Sequence, residues 1–205
     1  MTSLLNVPGI ERLTASDRSA LIDAATRLNI NPDWLATVIS FETAGTFSPT
    51  ILNRAGSGAF GLIQFMPRTA QNILKTATTD QAVAIGRAMT FREQLDRMVV
   101  PYFSGRKMNN LEDVYLAVFY PAAMAKSNDW VIGIAPSAVY TQNKGFDATD
   151  KGYITRGDVT RKIRSLFESS GGRISVPTIA VAQVLFGGAL GVAIIGYLSK
   201  RFKLV

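Results

Sequence analysis

One glutamate in this chain has the residue type and position for acid–base chemistry. Residues 31–42 read NPDWLATVISFE, and Leu35 and Ile39 lie seven and three positions before Glu42. That spacing places Glu42 on the apolar face of a helix. Partial burial of a carboxyl raises its pKa, and an acid that stays protonated near neutral pH can donate a proton to a substrate. Glutamates at helix ends are more often simply solvated, so this interpretation depends on the neighbouring residues.

The helix that would carry Glu42 has clear boundary signals. Asn31 is a good N-terminal cap, and Pro32 suits the first helical position because it has no amide hydrogen to leave unpaired. Gly45 is a plausible end of the same helix. These signals place Glu42 in the last turn, at the edge of the packed layer.

A glycine-rich segment with one glutamine follows the glutamate. Gly56, Gly58 and Gly61 suit a tight turn, and Gln64 then interrupts an otherwise apolar run. A carboxamide in such a run must find hydrogen-bond partners. Those partners are either the backbone, which is a purely structural role, or a ligand.

These residues resemble a known family. Glu42-Thr43 and residues 57–70, SGAFGLIQFMPRTA, are similar to the lytic transglycosylases of the lysozyme-like superfamily, in which a Glu-Ser pair precedes Gly-Leu-Met-Gln and Met-Pro-x-Thr-Ala. The family's third element, Ala-Tyr-Asn-Ala-Gly, has its nearest counterpart at residues 117–122, AVFYPA. There, Phe119 or Tyr120 stands where the family has its tyrosine. The resemblance covers residues 28–145.

The resemblance implies a fold, a reaction and a set of site residues. The fold would be a mainly α, lysozyme-like domain. Glu42 would protonate the glycosidic oxygen between N-acetylmuramic acid and N-acetylglucosamine in peptidoglycan, and would then take the proton of the sugar's C6 hydroxyl as an anhydro ring closes. The residues expected to contact the glycan strand are Gln64, Tyr120, Phe119, Ser57 and Thr43.

Two other functions stay open. A hydrolytic muramidase or chitinase would normally need a second carboxylate, for which the chain offers the remote candidates Glu93, Asp96, Glu112 and Asp113. A lysozyme-like domain without activity, retained as a structural membrane protein of a virion, is the other. Thr43 in place of serine and the altered segment 117–122 keep that alternative open.

The composition excludes several classes of enzyme. The 205 residues contain no histidine and no cysteine. A Ser-His-Asp triad, a cysteine nucleophile, disulfides and the usual zinc ligands are therefore excluded, and no P-loop is present. No cofactor and no metal are expected. The net charge of +7 suits anionic walls or lipids, but it is not concentrated with aromatic residues as nucleic-acid binding would require.

A degenerate calcium-loop pattern occupies residues 147–158. Asp147, Gly152 and Asp158 fall at the first, sixth and twelfth positions of an EF-hand loop, but Lys151 stands at the fifth, where an oxygen ligand belongs. An ammonium group there would repel a calcium ion. The pattern therefore favours a turn that leads into a helix from Asp158.

Near the C-terminus, an uncharged run predicts a membrane anchor. Residues 179–198 read IAVAQVLFGGALGVAIIGYL, enough for one span of about 30 Å, and a basic tail follows. The alternative is a buried helix of a soluble domain. The predicted organisation is a lysozyme-like transglycosylase domain at 1–168, a linker at 169–176, a transmembrane helix at 177–199 and a basic tail at 200–205. Within the domain, helices are predicted at 15–28, 32–44, 67–76, 80–88, 91–103, 110–120 and 158–169.

This organisation carries expectations about location and partners. The first eight residues lack the pattern of a secretory signal. A single-pass protein of a virion membrane or of the bacterial inner membrane is expected, with the catalytic domain facing the wall. The expected partners are peptidoglycan, the lipid bilayer around 177–199, and further copies in a homo-oligomer or a virion membrane assembly. Delivery by a membrane-containing phage would explain an anchor without a signal.

Overall fold

In a computed structural model, which describes residues 4–53 and 56–174, the first helices begin at the caps that their sequences indicate. Helix α1 (Ala15–Arg27) is preceded by Thr14, whose hydroxyl accepts a hydrogen bond from the Asp17 amide while the Asp17 carboxylate accepts one from the Thr14 amide. Helix α2 (Pro32–Glu42) is capped by the Asn31 side chain and has proline at its first position. Both arrangements satisfy amides that the first helical turn leaves unpaired.

The remaining elements continue a mainly helical domain. Within the described residues, strand structure is confined to a two-stranded antiparallel sheet, in which Val131 pairs with Thr155 and Ile134 with Tyr153. In chain order the elements are α3 (Pro67–Leu74), α4 (Thr79–Ala88), α5 (Phe91–Gln94), a π turn (Leu95–Val99), α6 (Val100–Phe103), α7 (Leu111–Phe119), β1 (Val131–Ile134), α8 (Ala138–Asn143), β2 (Tyr153–Thr155) and α9 (Arg156–Ser169).

The seven predicted helices are all present, with ends that differ from the prediction by at most two residues. Helix α9 begins before Asp158 because Thr155 forms the N-terminal cap, with Asp158 as the reciprocal partner in the first turn. The segment predicted as one helix at 91–103 is interrupted by the π turn, which widens the helix by one residue per turn.

Helix α2 lies at the centre of the core. Leu35, Ala36, Val38 and Ile39 have no exposed surface, and α2 packs against α1, α7 and α9. A helix enclosed on three sides can present polar groups to solvent only near its ends. Glu42, its last residue, is therefore held by a rigid support at the point where the core meets the surface.

The end of the described chain bears on the predicted domain boundary. Residues 170–172, which lie in the predicted linker 169–176, follow α9 closely, and the Gly172 amide donates to the Phe167 carbonyl oxygen. The compact unit extends to Ile174. No helix within 4–53 and 56–174 is long and apolar enough to cross a membrane. The predicted span at 177–199 and the basic tail at 200–205 lie outside the described residues.

Candidate active site

Glu42 ends α2 as a carboxyl without a protein partner. Among the described residues, no hydrogen bond or ion pair reaches its side chain, which is partly exposed. Burial raises the pKa of Glu42 from its ordinary value of 4.5 to about 7. Desolvation by the surrounding described residues decides the direction of this shift. Glu42 is thus a carboxylic acid that holds its proton close to neutral pH.

Two tyrosines lie close enough to Glu42 for its charge to act on them. Burial, followed by the charge of Glu42, raises the pKa of Tyr115, which is on α7. The pKa of Tyr102, on α6, is raised by burial and further by Glu42, while Arg106 above its ring opposes the shift. The Tyr102 hydroxyl donates a hydrogen bond of 2.7 Å to the Ala117 carbonyl oxygen. Both tyrosines therefore remain neutral at physiological pH.

The glycine-rich segment forms a tight turn facing α6. Phe60 and Phe65 exchange two backbone hydrogen bonds, of 3.1 and 2.7 Å, across this turn. Gly61 has a φ of +76°, and a Cβ there would overlap the Gln94 carboxamide. Gln94 in turn accepts from the Leu62 amide at 2.7 Å. Only glycine fits at position 61, because both the backbone conformation and the close approach exclude a side chain.

Gln64 lies within this turn, between Gly61 and Phe65, and lines a cavity. Its backbone has a φ of +52°, and its side-chain nitrogen donates to the Gly61 carbonyl oxygen at 3.2 Å. The cavity has a volume of about 100 Å³. Its lining combines apolar side chains with an amide and two hydroxyl-bearing residues: Ile63, Gln64, Phe65, Met66, Thr69, Tyr102 and Val118. Gln64 and Tyr102 therefore line the same cavity, and Tyr102 is one of the two tyrosines whose pKa the charge of Glu42 raises.

Thr43 does not line this site. It has no exposed surface, and its hydroxyl donates to the Ile39 carbonyl oxygen at 2.7 Å and accepts from the Phe47 amide at 3.0 Å. The side chain therefore holds the turn after α2, and the expected contact of Thr43 with substrate stays a prediction. Ser57 is exposed, and its hydroxyl accepts from the Ala59 amide at 3.3 Å within the glycine-rich segment.

The two aromatic candidates at the end of α7 have different surroundings. Phe119 stacks on Tyr115 with ring centroids 5.8 Å apart and meets Phe146 edge to face at 5.4 Å. Tyr120 leans on Trp130, with centroids 6.3 Å apart. Both rings are partly exposed. Phe119 is connected to the last turn of α2 through the rings of Tyr115 and Phe41, whereas Tyr120 packs towards the residues that precede β1.

The four candidates for a second acid are all engaged elsewhere. Glu93 accepts the amide and hydroxyl of its helix cap, and Asp96 pairs with Arg27 at 2.6 Å. Buried Asp113 accepts the Ala125 amide at 3.0 Å and faces Arg156, while Glu112 lies 3.8 Å from Arg164. Each carboxylate thus has a structural role, and none is paired with Glu42.

The loop at 147–158 is organised around an ammonium group. The Lys151 side chain donates to Asp158, and the Asp147 carboxylate accepts the Gly152 amide at 2.9 Å and the Tyr140 hydroxyl at 3.0 Å. Burial alone would raise the pKa of Asp158, but the hydrogen bonds from Lys151 and Thr155 outweigh it and hold the pKa at about 2. Within the described residues no cluster of acidic side chains could hold a metal ion.

Comparison with known proteins supports a family for part of the chain. Residues 19–85 match the Transglycosylase SLT domain. The match extends from α1 into α4, about a third of the chain, and includes Glu42 and Gln64. It agrees with the resemblance recognised at residues 42–43 and 57–70, while residues 117–122 lie beyond it. No curated protein and no solved structure matched the chain.

Three residues of the site were not found by sequence reasoning. Tyr102 and Tyr115 approach Glu42 from helices far away in sequence, and Gln94 supports the glycine turn from a segment 32 positions beyond Leu62. The charged residues of that segment are exposed, but Gln94 is completely buried. A usable signal was its position between Phe91 and Leu95, which form the apolar stripe of the segment.

Proposed function

We propose that this protein is a peptidoglycan lytic transglycosylase in which Glu42 is the single catalytic acid and base. The observation that carries this proposal is a partly exposed carboxyl, without a partner among the residues that the structure describes, whose pKa burial raises to about 7. Such a group can both donate and accept a proton near neutral pH. The match of residues 19–85 to the Transglycosylase SLT domain supports the same activity and the lysozyme-like fold.

The reaction needs no second carboxylate. Protonated Glu42 would give its proton to the glycosidic oxygen as the bond from C1 of N-acetylmuramic acid breaks and N-acetylglucosamine leaves. The C6 hydroxyl oxygen of the same muramic acid then bonds to C1, and the Glu42 carboxylate takes the hydroxyl proton. The product is a 1,6-anhydro sugar, and Glu42 ends the cycle protonated as it began.

The remaining site residues supply contacts for the glycan strand. Gln64 and the cavity of about 100 Å³ beside it offer a carboxamide within an apolar lining, which suits an N-acetyl group. Phe119, Tyr120 and Ser57 are exposed enough to contact further sugars. A hydrolytic muramidase is less well supported, because its four candidate acids have other partners.

The test is analysis of the fragments that the full-length protein releases from purified peptidoglycan, with Glu42→Gln as the matched variant. Mass spectrometry should find anhydro-muropeptides with the wild type and none with the variant. Fragments with reducing ends would establish the muramidase instead. A folded wild-type protein that releases nothing would support the structural, non-catalytic alternative.

The membrane setting is a separate part of the proposal. The uncharged run at 179–198 and the basic tail support a single-pass anchor in a virion or bacterial inner membrane, with the enzyme acting locally on the wall and with further copies as possible neighbours. Flotation of the full-length protein with liposomes, compared with a chain ending at residue 174, tests the anchor. Equal recovery of both proteins in the lipid fraction would refute it.

A further inference from the structure

Tyr115 is a buried tyrosine whose ring is fixed by two aromatic neighbours. It is 2% exposed. The ring stacks on Phe119 with an interplanar angle of 15°, and it meets Phe41 edge to face at 5.4 Å. Phe41 directly precedes Glu42, so the same contact that holds the Tyr115 ring places it against the last turn of α2. Rings packed on two sides have little freedom to move.

The hydroxyl of Tyr115 makes no hydrogen bond among the described residues, and it is not completely closed to solvent. Of the side-chain nitrogen and oxygen atoms in those residues, only Arg156 Nε is both without a hydrogen bond and inaccessible to solvent. The Tyr115 hydroxyl must therefore retain a small opening to solvent. Buried hydroxyls are normally hydrogen-bonded, so a free one at an opening beside an acid is unusual.

The Tyr115 hydroxyl differs from that of Tyr102 in its hydrogen bonding. The charge of Glu42 raises the pKa of both tyrosines, and Arg106 lies over the Tyr102 ring. The Tyr102 hydroxyl is already committed to the Ala117 carbonyl oxygen. Of the two, Tyr115 alone presents a neutral O–H that is free to donate. The contact between the Tyr115 and Phe41 rings places Tyr115 against the turn that carries Glu42, and no direct hydrogen bond joins the side chains of Tyr115 and Glu42.

We propose that Tyr115 is a substrate-binding residue whose hydroxyl, together with Glu42, binds one hydroxyl of an N-acetylated sugar. That sugar hydroxyl accepts a hydrogen bond from the phenol and donates one to a carboxyl oxygen of Glu42. Its position against Glu42 is thereby defined by two contacts instead of one. The assignment rests on the proposed function, which it deepens by adding a residue outside the segments that resemble the family.

The test removes one oxygen atom from the full-length protein. Tyr115→Phe retains both ring contacts, so the melting temperature should change little. Binding of a soluble N-acetylglucosamine tetramer, measured by isothermal titration calorimetry, should weaken by about 3- to 10-fold, the usual effect of one neutral hydrogen bond. Tyr140→Phe is the matched control, because it removes the hydroxyl that donates to Asp147. It should lower the melting temperature and leave tetramer affinity unchanged.

The outcomes separate this assignment from the proposed function. Weaker binding by Tyr115→Phe with normal folding supports the assignment, even if the wild type releases no fragments from peptidoglycan. Wild-type cleavage combined with unchanged affinity and rate in Tyr115→Phe overturns the assignment and leaves the proposed function standing. Absence of tetramer binding by the folded wild type overturns the assignment as well.

Discussion

The unpaired carboxyl of Glu42 should make the stability of this protein depend on pH in a way that one substitution removes. The folded protein retains the Glu42 proton up to about pH 7, whereas the unfolded chain loses it near 4.5. Between these values the folded state binds more protons than the unfolded state. The free energy of unfolding must therefore decrease as pH rises through this interval. Above this interval, Glu42 is ionised in both states and its contribution no longer changes with pH.

The size of the effect follows from the two pKa values. A difference of one bound proton changes the free energy of unfolding by about 1.4 kcal/mol per pH unit. Integrated from about pH 5 to about pH 8, the contribution of Glu42 is about 2.5 kcal/mol. Because the side chain is partly exposed, solvent screening lowers the expected value to about 2 kcal/mol.

Urea unfolding of the full-length protein in detergent, followed by circular dichroism, measures this quantity. The wild type should lose about 2 kcal/mol relative to Glu42→Gln as pH rises from about 5 to about 8, because glutamine does not ionise there. Glu93→Gln is the matched control. The pKa of Glu93 is lowered by hydrogen bonds from Thr90, so its stabilising effect is present at neutral pH and is lost only on acidification. Parallel stability curves for the wild type and Glu42→Gln would refute the argument.

Three further predictions concern the site and its supports. If Glu42 is the acid, kcat/KM for peptidoglycan cleavage should fall as pH rises above about 7, as a pH–rate profile would show. Gly61→Ala should lower stability by more than about 2 kcal/mol in urea unfolding, since its Cβ overlaps the Gln94 carboxamide at a left-handed φ. Lys151→Met should raise the pKa of Asp158, measurable by NMR titration, and reduce stability at neutral pH by about 1 to 3 kcal/mol.

Each of these predictions has a control or an outcome that contradicts it. A rate that stays constant from about pH 6 to about pH 9 would exclude Glu42 as a titrating acid. Gly105→Ala has the same left-handed strain but no neighbouring atoms, so it should cost only about 1 kcal/mol. Lys144→Met removes an exposed ion pair with Asp150 and should change stability little. An equal loss in Lys144→Met and Lys151→Met would contradict the role of Lys151 as the partner of buried Asp158.

Local chemistry made the helices predictable. Asn31 with Pro32 defines the start of α2, and a side-chain cap is a contact between residues two or three positions apart. The apolar spacing of Leu35 and Ile39 likewise indicates which face is buried. Both signals depend only on neighbours along the chain, so the sequence contains them completely. The partial burial of Glu42 and its raised pKa were predicted in the same way.

Side-chain contacts outside the helix caps were less predictable by these rules. Thr43 was expected at the substrate because it stands where the resembling family has serine, and the hydrogen bonds of its hydroxyl within the turn after α2 were not predicted. The pairing of Lys151 with the loop carboxylates was easier to anticipate, because a cation among acidic residues has few other partners. Asp158, expected to begin a helix, lies in its first turn because Thr155 forms the cap.

The sequence by itself determined which residue could be the acid and where the helices run. It also determined which classes of chemistry the absence of histidine and cysteine excludes. The tertiary structure alone decided what surrounds that acid. Tyr115 stands beside Glu42 because α7 packs on α2, and Gln94 supports the glycine turn across 32 positions of the chain. Such neighbours are selected by how the whole core packs, which periodicity and capping along one segment do not specify.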